Sequence, residues 1–207
     1  MMQQNKIPSA VIWDMGGILF HFFTEVLVAY GEDNDWPLEE IPLGPTGRIP
    51  DPHYVALDRG DINEPEYIKR LNTEFSRHGI DYVPYQIRPP ERPESWALVD
   101  RAQKAGRRQM LLTNDASNWL GVNWWDTWPR RHFFEGVVDV TNGSRKPSPE
   151  PYLACLEKLD VLPEECIFID DMHANCSGAE AVGMQSYWYD VTDPKAAVEG
   201  LSSRLGI

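Results

Sequence analysis

Acidic, hydroxyl and basic residues stand where short apolar runs of the sequence end. Asp14 ends AVIWD, Thr113 lies at the end of QMLLTN, Asp170 and Asp171 end CIFIDD, and Lys146 lies in SRKPSPEPY. If the runs are parallel strands, their carboxyl ends meet at one edge of a sheet. One carboxylate there could attack phosphorus, others could hold a divalent cation, and the hydroxyl and ammonium could neutralise phosphoryl oxygens. The pattern favours a site that handles phosphate.

The spacing of apolar residues predicts the elements that would position this site. Short runs rich in branched and aromatic residues predict buried strands at 10–14, 109–114, 136–140, 166–171 and 185–190. Between the later runs, helical patterns lie at 93–105, 117–127, 148–159 and 175–182. Alternation of strand and helix predicts an α/β fold with a Rossmann-like, mostly parallel sheet.

One long segment interrupts this alternation. Residues 22–90 contain a Pro/Gly-rich piece and the helix-like PEYIKRLNTEFSRHG, without a convincing buried strand. We interpret them as a small helical insert, and we predict a core of residues 1–20 and 91–207 with an insert of 21–90. An extended helical excursion of the core, with no separate role, is the alternative.

Composition and charge limit the partners. The 207 residues are 42% hydrophobic and 25% charged, which is ordinary for a soluble globular protein. A net charge of −13 argues against nucleic acid and anionic membranes, because such a field repels polyphosphates. A small anionic substrate stays open, since a metal ion can reverse the local potential.

Cysteine usage and hydropathy predict a cytoplasmic location. Cys155, Cys166 and Cys176 are odd in number and lack metal-site spacing, so we expect reduced and mostly buried thiols. Neither a long apolar stretch at the start nor a run of about 20 apolar residues occurs, so we expect no signal peptide and no membrane span.

Four segments in order resemble the motifs of the haloacid dehalogenase superfamily. They cover nearly the whole chain, and the last is the most specific; they are DMGGIL (14–19), LLTND (111–115), RKP (145–147) and FIDDMHANCSGAEAVGM (168–184). The segment LDRGDINEPEYIKRL (57–71) resembles the helix pair of the small helical (C1-type) cap in the phosphatase branch. The resemblance implies that the insert is such a cap and that the chain is a phosphatase.

The resemblance also implies a role for individual residues. Asp14 would be the nucleophile that becomes an aspartyl-phosphate, Thr113 would hydrogen-bond a phosphoryl oxygen, and Lys146 would balance charge. The implied Mg²⁺ ligands are Asp14, the carbonyl of Gly16, Asp171, and Asp170 directly or through water. The implied substrate contacts are Asn114, Gly17 and Asp115.

The chain departs from the family pattern at Gly16, where most of its phosphatases carry a second aspartate. That acid protonates the leaving oxygen and then activates water, and the loss of a general acid–base lowers the rate by about 10² to 10⁴. Gly followed by Gly or Asn also recurs in the family, so the substitution does not by itself imply an inactive enzyme. His21, Asp115 and His173 are the candidates for a replacement by proximity in sequence.

We therefore predict Mg²⁺-dependent hydrolysis of a small, sugar-phosphate-like phosphomonoester, with a small phosphorylated metabolite as partner. Dehalogenation is disfavoured because the acid pair is present and the aromatic residue usual two positions after the nucleophile is absent. The insert would set the substrate, with candidate contacts at Trp36, Arg48, His53, Tyr54 and Arg59.

A non-catalytic protein that binds a phosphorylated ligand or a protein partner is the alternative from another class. Its support is a tryptophan cluster, which could mark an interface; the cluster comprises Trp119, Trp124, Trp125 and Trp128. Packing of these rings beneath the helix after the second strand is the simpler interpretation. The sequence does not indicate an oligomeric state.

Overall fold

The computed structural model describes residues 6–81, 89–114, 116–140 and 143–207. Its strands are β1 (Ala10–Trp13), β2 (Arg108–Asn114), β3 (Val137–Val140), β4 (Cys166–Asp170) and β5 (Gln185–Trp188). They form one parallel five-stranded sheet in the order β3-β2-β1-β4-β5. Each run that predicted a strand forms one, with ends shifted by one or two residues. The predicted α/β fold with a Rossmann-like parallel sheet is confirmed.

Helices connect the strands and fill the long insert. In the described ranges they are α1 (Phe23–Asp33), α2 (Pro52–Asp58), α3 (Glu64–Arg77), α4 (Pro93–Lys104), α5 (Ala116–Leu120), α6 (Trp124–Thr127), α7 (Pro149–Leu159), α8 (His173–Ala181) and α9 (Pro194–Leu205). Short 3₁₀ turns lie at Gly44–Thr46, Pro129–Phe133 and Pro163–Glu165.

The central strand β1 is buried on both faces of the sheet. Val11 and Trp13 join an apolar cluster with α4 and α9, whereas Ala10 and Ile12 join a second cluster with α7 and α8. Successive side chains of a strand point to opposite faces, so a run without polar residues is what a sheet covered on both sides requires. This packing holds the carboxyl end of β1 in the middle of the sheet edge.

The prediction of one continuous helix over 117–127 is wrong, because two short helices, α5 and α6, form there. Gly121 has a φ of +95°, a left-handed conformation that ends α5, and α6 starts three residues later. Glycine adopts this conformation without the steric penalty of a Cβ atom, and helices commonly end there. The C-terminal helix α9 had no counterpart among the predicted helices.

The insert has its own apolar cluster, which contains Phe23, Leu27, Tyr67, Leu71 and Phe75 among other buried side chains. An antiparallel bridge between Phe20 and Glu91 joins the chain where it enters and leaves this segment. The division into a core of 1–20 and 91–207 and a cap of 21–90 stays a proposal, which the separate cluster and the bridge support.

Two expectations from composition can be compared with the structure. All three cysteines are buried and form no disulfide, as expected for buried thiols. None of the helices in the four described ranges combines the length and the apolar character needed to cross a membrane.

Candidate active site

The carboxyl ends of β1, β2 and β4 bring the predicted acids and the threonine together. Asp14 follows β1, and its N–H donates to the carbonyl of Ile169 in β4 at 2.9 Å. Thr113 lies near the end of β2, and Asp170 is the last residue of β4. All these polar side chains are buried, as is that of Asp171. The parallel sheet thus collects them at the edge where such folds bind ligands.

Lys146 reaches the same edge from the loop before α7. Its Nζ lies 2.8 Å from Oδ1 of Asp14 and 2.7 Å from Oδ2 of Asp170, and the side chain is 1% exposed. Nζ also donates to the carbonyl of Leu112 at 3.3 Å. A buried ammonium needs such partners because burial alone strongly disfavours charge. Lys146 therefore holds the two carboxylates in place.

Both oxygens of the Asp170 carboxylate contact groups of the protein. Its Oδ1 accepts hydrogen bonds from the N–H of Met172 and from Nδ2 of Asn175, both at 2.9 Å, while Oδ2 faces Lys146. Asp170 is completely buried. These contacts fix its orientation, so the acid shapes the site from beneath.

Asp171 has the opposite character. Its Oδ2 is buried and accepts no hydrogen bond from the residues that the structure describes. The backbone of Gly17 passes so close that a Cβ atom there would lie 2.4 Å from this oxygen. An unsatisfied buried carboxylate oxygen is costly unless a ligand supplies the missing interaction.

The three acids fit a divalent cation. Carboxylate oxygens of Asp14, Asp170 and Asp171 lie within 4.8 Å of one another. With Lys146 protonated, three carboxylates and one ammonium leave two net negative charges, which one divalent cation would balance. Carboxylate oxygens are the ligands that Mg²⁺ prefers. The partnerless Oδ2 of Asp171 is the atom with most to gain from the ion.

Burial and mutual repulsion shift the pKa values in this cluster. Burial raises the pKa of Asp14 to about 6; the attraction of Lys146 opposes the rise and the charge of Asp170 adds to it. Burial, followed by repulsion from Asp170 and Asp14, raises the pKa of Asp171 well above its ordinary value. Burial lowers the pKa of Lys146, but the two acids that it contacts more than offset this, so its pKa is raised. Asp14 is therefore still largely ionised near neutral pH, and Lys146 stays charged.

A cavity of about 810 Å³ opens over this cluster. Its lining includes Asp14, Gly16, Thr113, Lys146 and Asp171. Aromatic rings from two parts of the chain also line it; they are Phe20, Phe22, Phe23, Trp119, Trp124 and Trp128. A nucleophilic carboxylate, a buried cation-binding cluster and a lysine therefore share one ligand-sized space.

The sequence model of the haloacid dehalogenase-like hydrolases matches residues 8–183, which include the first three motifs and all of the fourth except its last residue, Met184. The chain belongs to the haloacid dehalogenase-like hydrolases. The resemblance inferred from the motifs is thereby confirmed, and with it the prediction of an enzyme.

Characterised relatives of this hydrolase share about a quarter of its residues. It is 25% identical to acyl-CoA dehydrogenase family member 10 of Mus musculus, covering 95% of this chain but only 19% of that protein. It is 26% identical to the fructose-1-phosphate phosphatase YqaB of Escherichia coli, covering 86% of this chain and 94% of the relative. It is also 26% identical to the phosphorylated carbohydrates phosphatase of Thermotoga maritima, covering 92% of this chain and 90% of that relative.

A solved structure shows the same fold. The hydrolase superposes on the magnesium-bound HAD-hydrolase YfnB of Bacillus subtilis with a TM-score of 0.67, covering 98% of this chain and 100% of the other. The two sequences are 16% identical, so the likeness concerns the fold alone.

The three implied substrate contacts of the hydrolase have different surroundings. Asn114 lines the cavity, but its side chain accepts from the N–H of Lys146 at 3.3 Å and donates to the Lys146 carbonyl at 3.4 Å. Gly17 does not line the cavity; it packs on Asp171, and its carbonyl accepts from Nε of Arg92 at 3.0 Å. Asp115 lies outside the described residues.

The candidate contacts from the insert do not line the cavity. Trp36 packs on Phe75, Arg48 pairs with acidic side chains, and Tyr54 packs on Phe22. His53 and Arg59 are also absent from the lining. Other residues of the insert line it instead, among them Leu57, Gly60, Asp61, Ile62, Asn63, Glu64 and Glu66. The sequence could not show which residues of the insert line the cavity. The choice depends on the turn between α2 and α3, which faces the core.

The candidates for the missing acid–base also separate. His21 lines the cavity, and its Nδ1 lies 2.9 Å from Oε2 of Glu25. His173 does not line it and is bound to Asp58, with Nδ1 2.9 Å from Oδ2 and its N–H donating to Oδ1 at 2.7 Å. This pair joins the insert to the start of α8. Asp115, the third candidate, is not among the described residues.

The tryptophan cluster packs against the protein interior. Trp124 is 6% exposed, and its Nε1 donates to Oδ2 of Asp139 at 3.0 Å. Trp125 and Trp128 are half-buried against the apolar cluster beside α4, whereas Trp119 packs on the cluster of the insert. The simpler interpretation of these residues, as packing rather than an exposed interface, agrees with this placement.

Two supporting residues were missed by reasoning from the sequence. Asn175 lies in the fourth motif but was assigned no role, and it holds Asp170. Arg92 is 1% exposed and links Gly17 to Glu25, to which it donates at 2.6 Å. The motif spacing could have indicated Asn175, whereas the Pro-rich segment around Arg92 carries no such signal.

Proposed function

We propose that this hydrolase is a Mg²⁺-dependent phosphomonoester phosphatase that works through an aspartyl-phosphate on Asp14. The observation that carries the proposal is the buried Asp14 carboxylate on the lining of a ligand-sized cavity. Lys146 holds it beside an oxygen of Asp171 that has no hydrogen-bond partner among the described residues. The two relatives named for sugar phosphates make compact sugar phosphates the first substrates to test.

Each residue has a part in the proposed reaction. Asp14 attacks phosphorus, the ester P–O bond breaks, and the alcohol leaves with the electron pair and takes up a proton. Water then attacks the aspartyl-phosphate, phosphate leaves, and the Asp14 carboxylate is restored. Lys146 orients Asp14 and offsets the charge of the phosphoryl group, and Thr113 donates its hydroxyl hydrogen to a phosphoryl oxygen.

Asp14, Asp171 and the Gly16 carbonyl would hold Mg²⁺, with Asp170 as a direct or water-mediated ligand. The ion would supply positive charge that lowers repulsion between the carboxylate nucleophile and the phosphate. Of the candidates for the proton transfers, His21 is the one that both lines the cavity and is oriented by a carboxylate. We assign it the activation of the water that attacks the aspartyl-phosphate, whereas no side chain is assigned to protonate the leaving oxygen.

The test is hydrolysis of an aryl phosphate and a panel of sugar phosphates with and without Mg²⁺. Turnover should require the metal, and Asp14→Asn should lower it by about three orders of magnitude or more. Asp100→Asn is the matched control, because Asp100 lies on α4 and pairs with Lys104 at the surface. Folded protein that binds Mg²⁺ but hydrolyses no phosphate would favour the non-catalytic binding function instead.

A further inference from the structure

Six aromatic side chains line the cavity over Asp14. Phe20 precedes the insert and Phe23 is the first residue of α1 within it, whereas Trp119 and Trp128 come from the region after β2. The ring centroids of Phe20 and Trp128 are 6.3 Å apart, and those of Phe23 and Trp119 are 5.8 Å apart. Two separate segments thus contribute two pairs of neighbouring rings to the cavity over the acid cluster.

Several polar groups near these rings are already engaged by the protein. The indole N–H of Trp124 donates to Asp139. On the insert side, Oδ1 of Asn63 accepts from the N–H of Glu66, and the carboxylate of Glu66 pairs with Arg70 at 3.0 Å. A sugar has a hydroxyl on nearly every carbon, and a hydroxyl buried without a partner is unfavourable. Aromatic walls favour a flat apolar body, on which they can stack.

The glycine at position 16 independently favours a substrate with an aromatic body. Without an acid there, the leaving oxygen is not readily protonated as the P–O bond breaks. A phenol, with a pKa of about 10 like that of tyrosine, leaves far more readily as its anion than an aliphatic alcohol that is about as weak an acid as water, pKa about 15.7. An ester of a phenol therefore suffers least from the absence of this acid.

We propose that the substrate class is an aryl phosphomonoester, in which a phenolic hydroxyl on an aromatic body carries the phosphate. The inference rests on the proposed phosphatase function and departs from the sugar-phosphate expectation. The phosphate lies over Asp14, and the aromatic body lies against Trp119 and Trp128. Attack by Asp14 breaks the P–O bond, and the phenolate leaves with the electron pair and takes a proton from water.

Three esters test the effect of the leaving group and the effect of the aromatic body separately. With Mg²⁺ present, kcat/KM is measured for 2-naphthyl phosphate, for 2-naphthylmethyl phosphate and for fructose 1-phosphate. The first two share the aromatic body but differ in leaving group, and the last two share an aliphatic leaving group but differ in body. We expect kcat/KM to fall about tenfold or more at each step in this order. Rapid mixing should also show a burst of 2-naphthol, because hydrolysis of the aspartyl-phosphate becomes the slow step.

Tryptophan variants test the aromatic side chains of the cavity directly. Trp119→Leu and Trp128→Leu should lower kcat/KM for 2-naphthyl phosphate about tenfold while changing that for fructose 1-phosphate much less. Trp125→Leu is the matched control, since Trp125 belongs to the same ring cluster but does not line the cavity. Circular dichroism and melting curves establish that each variant is folded.

The outcomes distinguish this inference from the function on which it rests. A kcat/KM for fructose 1-phosphate equal to or above that for 2-naphthyl phosphate would overturn the aryl assignment and leave the phosphatase proposal intact. If no ester is hydrolysed, the phosphatase proposal fails, and calorimetry on Asp14→Asn decides the inference. Binding of 2-naphthyl phosphate at least about tenfold tighter than inorganic phosphate would support it, and equal affinities would refute it.

Discussion

Adding one methyl group at Gly17 should disturb the metal site, whereas adding it at Gly16 should not disturb the fold. Gly17 has a φ of +72°, and a Cβ atom there would lie 2.4 Å from Oδ2 and 2.6 Å from Cγ of Asp171. At Gly16 a Cβ atom would meet nothing within 4 Å, and its φ lies outside the left-handed region. Gly17→Ala and Gly16→Ala are thus a matched pair of neighbouring substitutions with opposite surroundings.

The expected loss of stability follows from two contributions. An alanine held in the left-handed region costs about 1 kcal/mol or more, and forcing a buried side chain aside costs about 1 to 3 kcal/mol. A total of about 2 to 4 kcal/mol should lower the Tm of Gly17→Ala by about 5 to 15 °C in a chain of this length. Gly16→Ala should change the Tm by about 2 °C or less, since a compatible Gly→Ala change restricts only the unfolded chain.

The assay is thermal unfolding at increasing Mg²⁺ concentration. An ion that binds only the folded protein adds about 2.7 kcal/mol of stability at one hundred times its Kd. We expect Mg²⁺ to raise the Tm of the parent protein clearly and that of Gly17→Ala far less, because Asp171 is displaced. Equal melting temperatures and equal responses to Mg²⁺ in the two variants would refute the close packing of Gly17 on Asp171.

Further predictions concern the acid cluster, position 16 and the thiols. Asp171→Asn should raise the Tm of the metal-free protein, because it removes a buried charge beside two acids, and should abolish the Mg²⁺-dependent rise; a lower metal-free Tm would contradict this. Gly16→Asp should raise kcat/KM, which reports P–O cleavage, by about tenfold or more for an alkyl phosphate but much less for an aryl phosphate, because the open space admits the acid; equal effects in steady-state assays would argue against it. Burial raises the pKa of Cys155 and Cys166 to about 12, above the ordinary value of the unfolded thiols, so the free energy of unfolding should fall as the pH rises above about 9. Cys155→Ala should make that fall shallower in denaturant titrations, and an unchanged slope would contradict it.

Much of the fold could be predicted from the sequence because its signals are local. Each apolar run that predicted a strand forms either one of the three buried central strands or one of the two edge strands of the sheet. A parallel sheet covered by helices needs such continuous apolar strands. The bounds of the helices depend more on the local backbone conformation and on tertiary packing. The break at Gly121 depends on a left-handed backbone conformation, and the apolar residues on both sides of it suggested one continuous helix. Helix α9 was not predicted because its apolar residues lack a strong helical period.

The candidate site could be predicted as a set of residue types, but not as a set of contacts. Asp14, Thr113, Lys146 and Asp171 are on the cavity lining together, as strand order implies. The engagement of Asn114 with the Lys146 backbone was beyond prediction, because it joins residues 32 positions apart. The same holds for the insert, where loop packing rather than residue type selects the side chains that face the core.

The sequence by itself determined the family, the parallel sheet and the chemistry available at its edge, because strand period and motif order are properties of neighbouring residues. Only the tertiary structure decided which atoms remain available. Among the described residues it left Oδ2 of Asp171 without a hydrogen-bond partner, it paired Lys146 with two acids, and it placed three tryptophans on the lining of the cavity. These outcomes depend on how distant segments pack, and packing is settled by the whole chain at once.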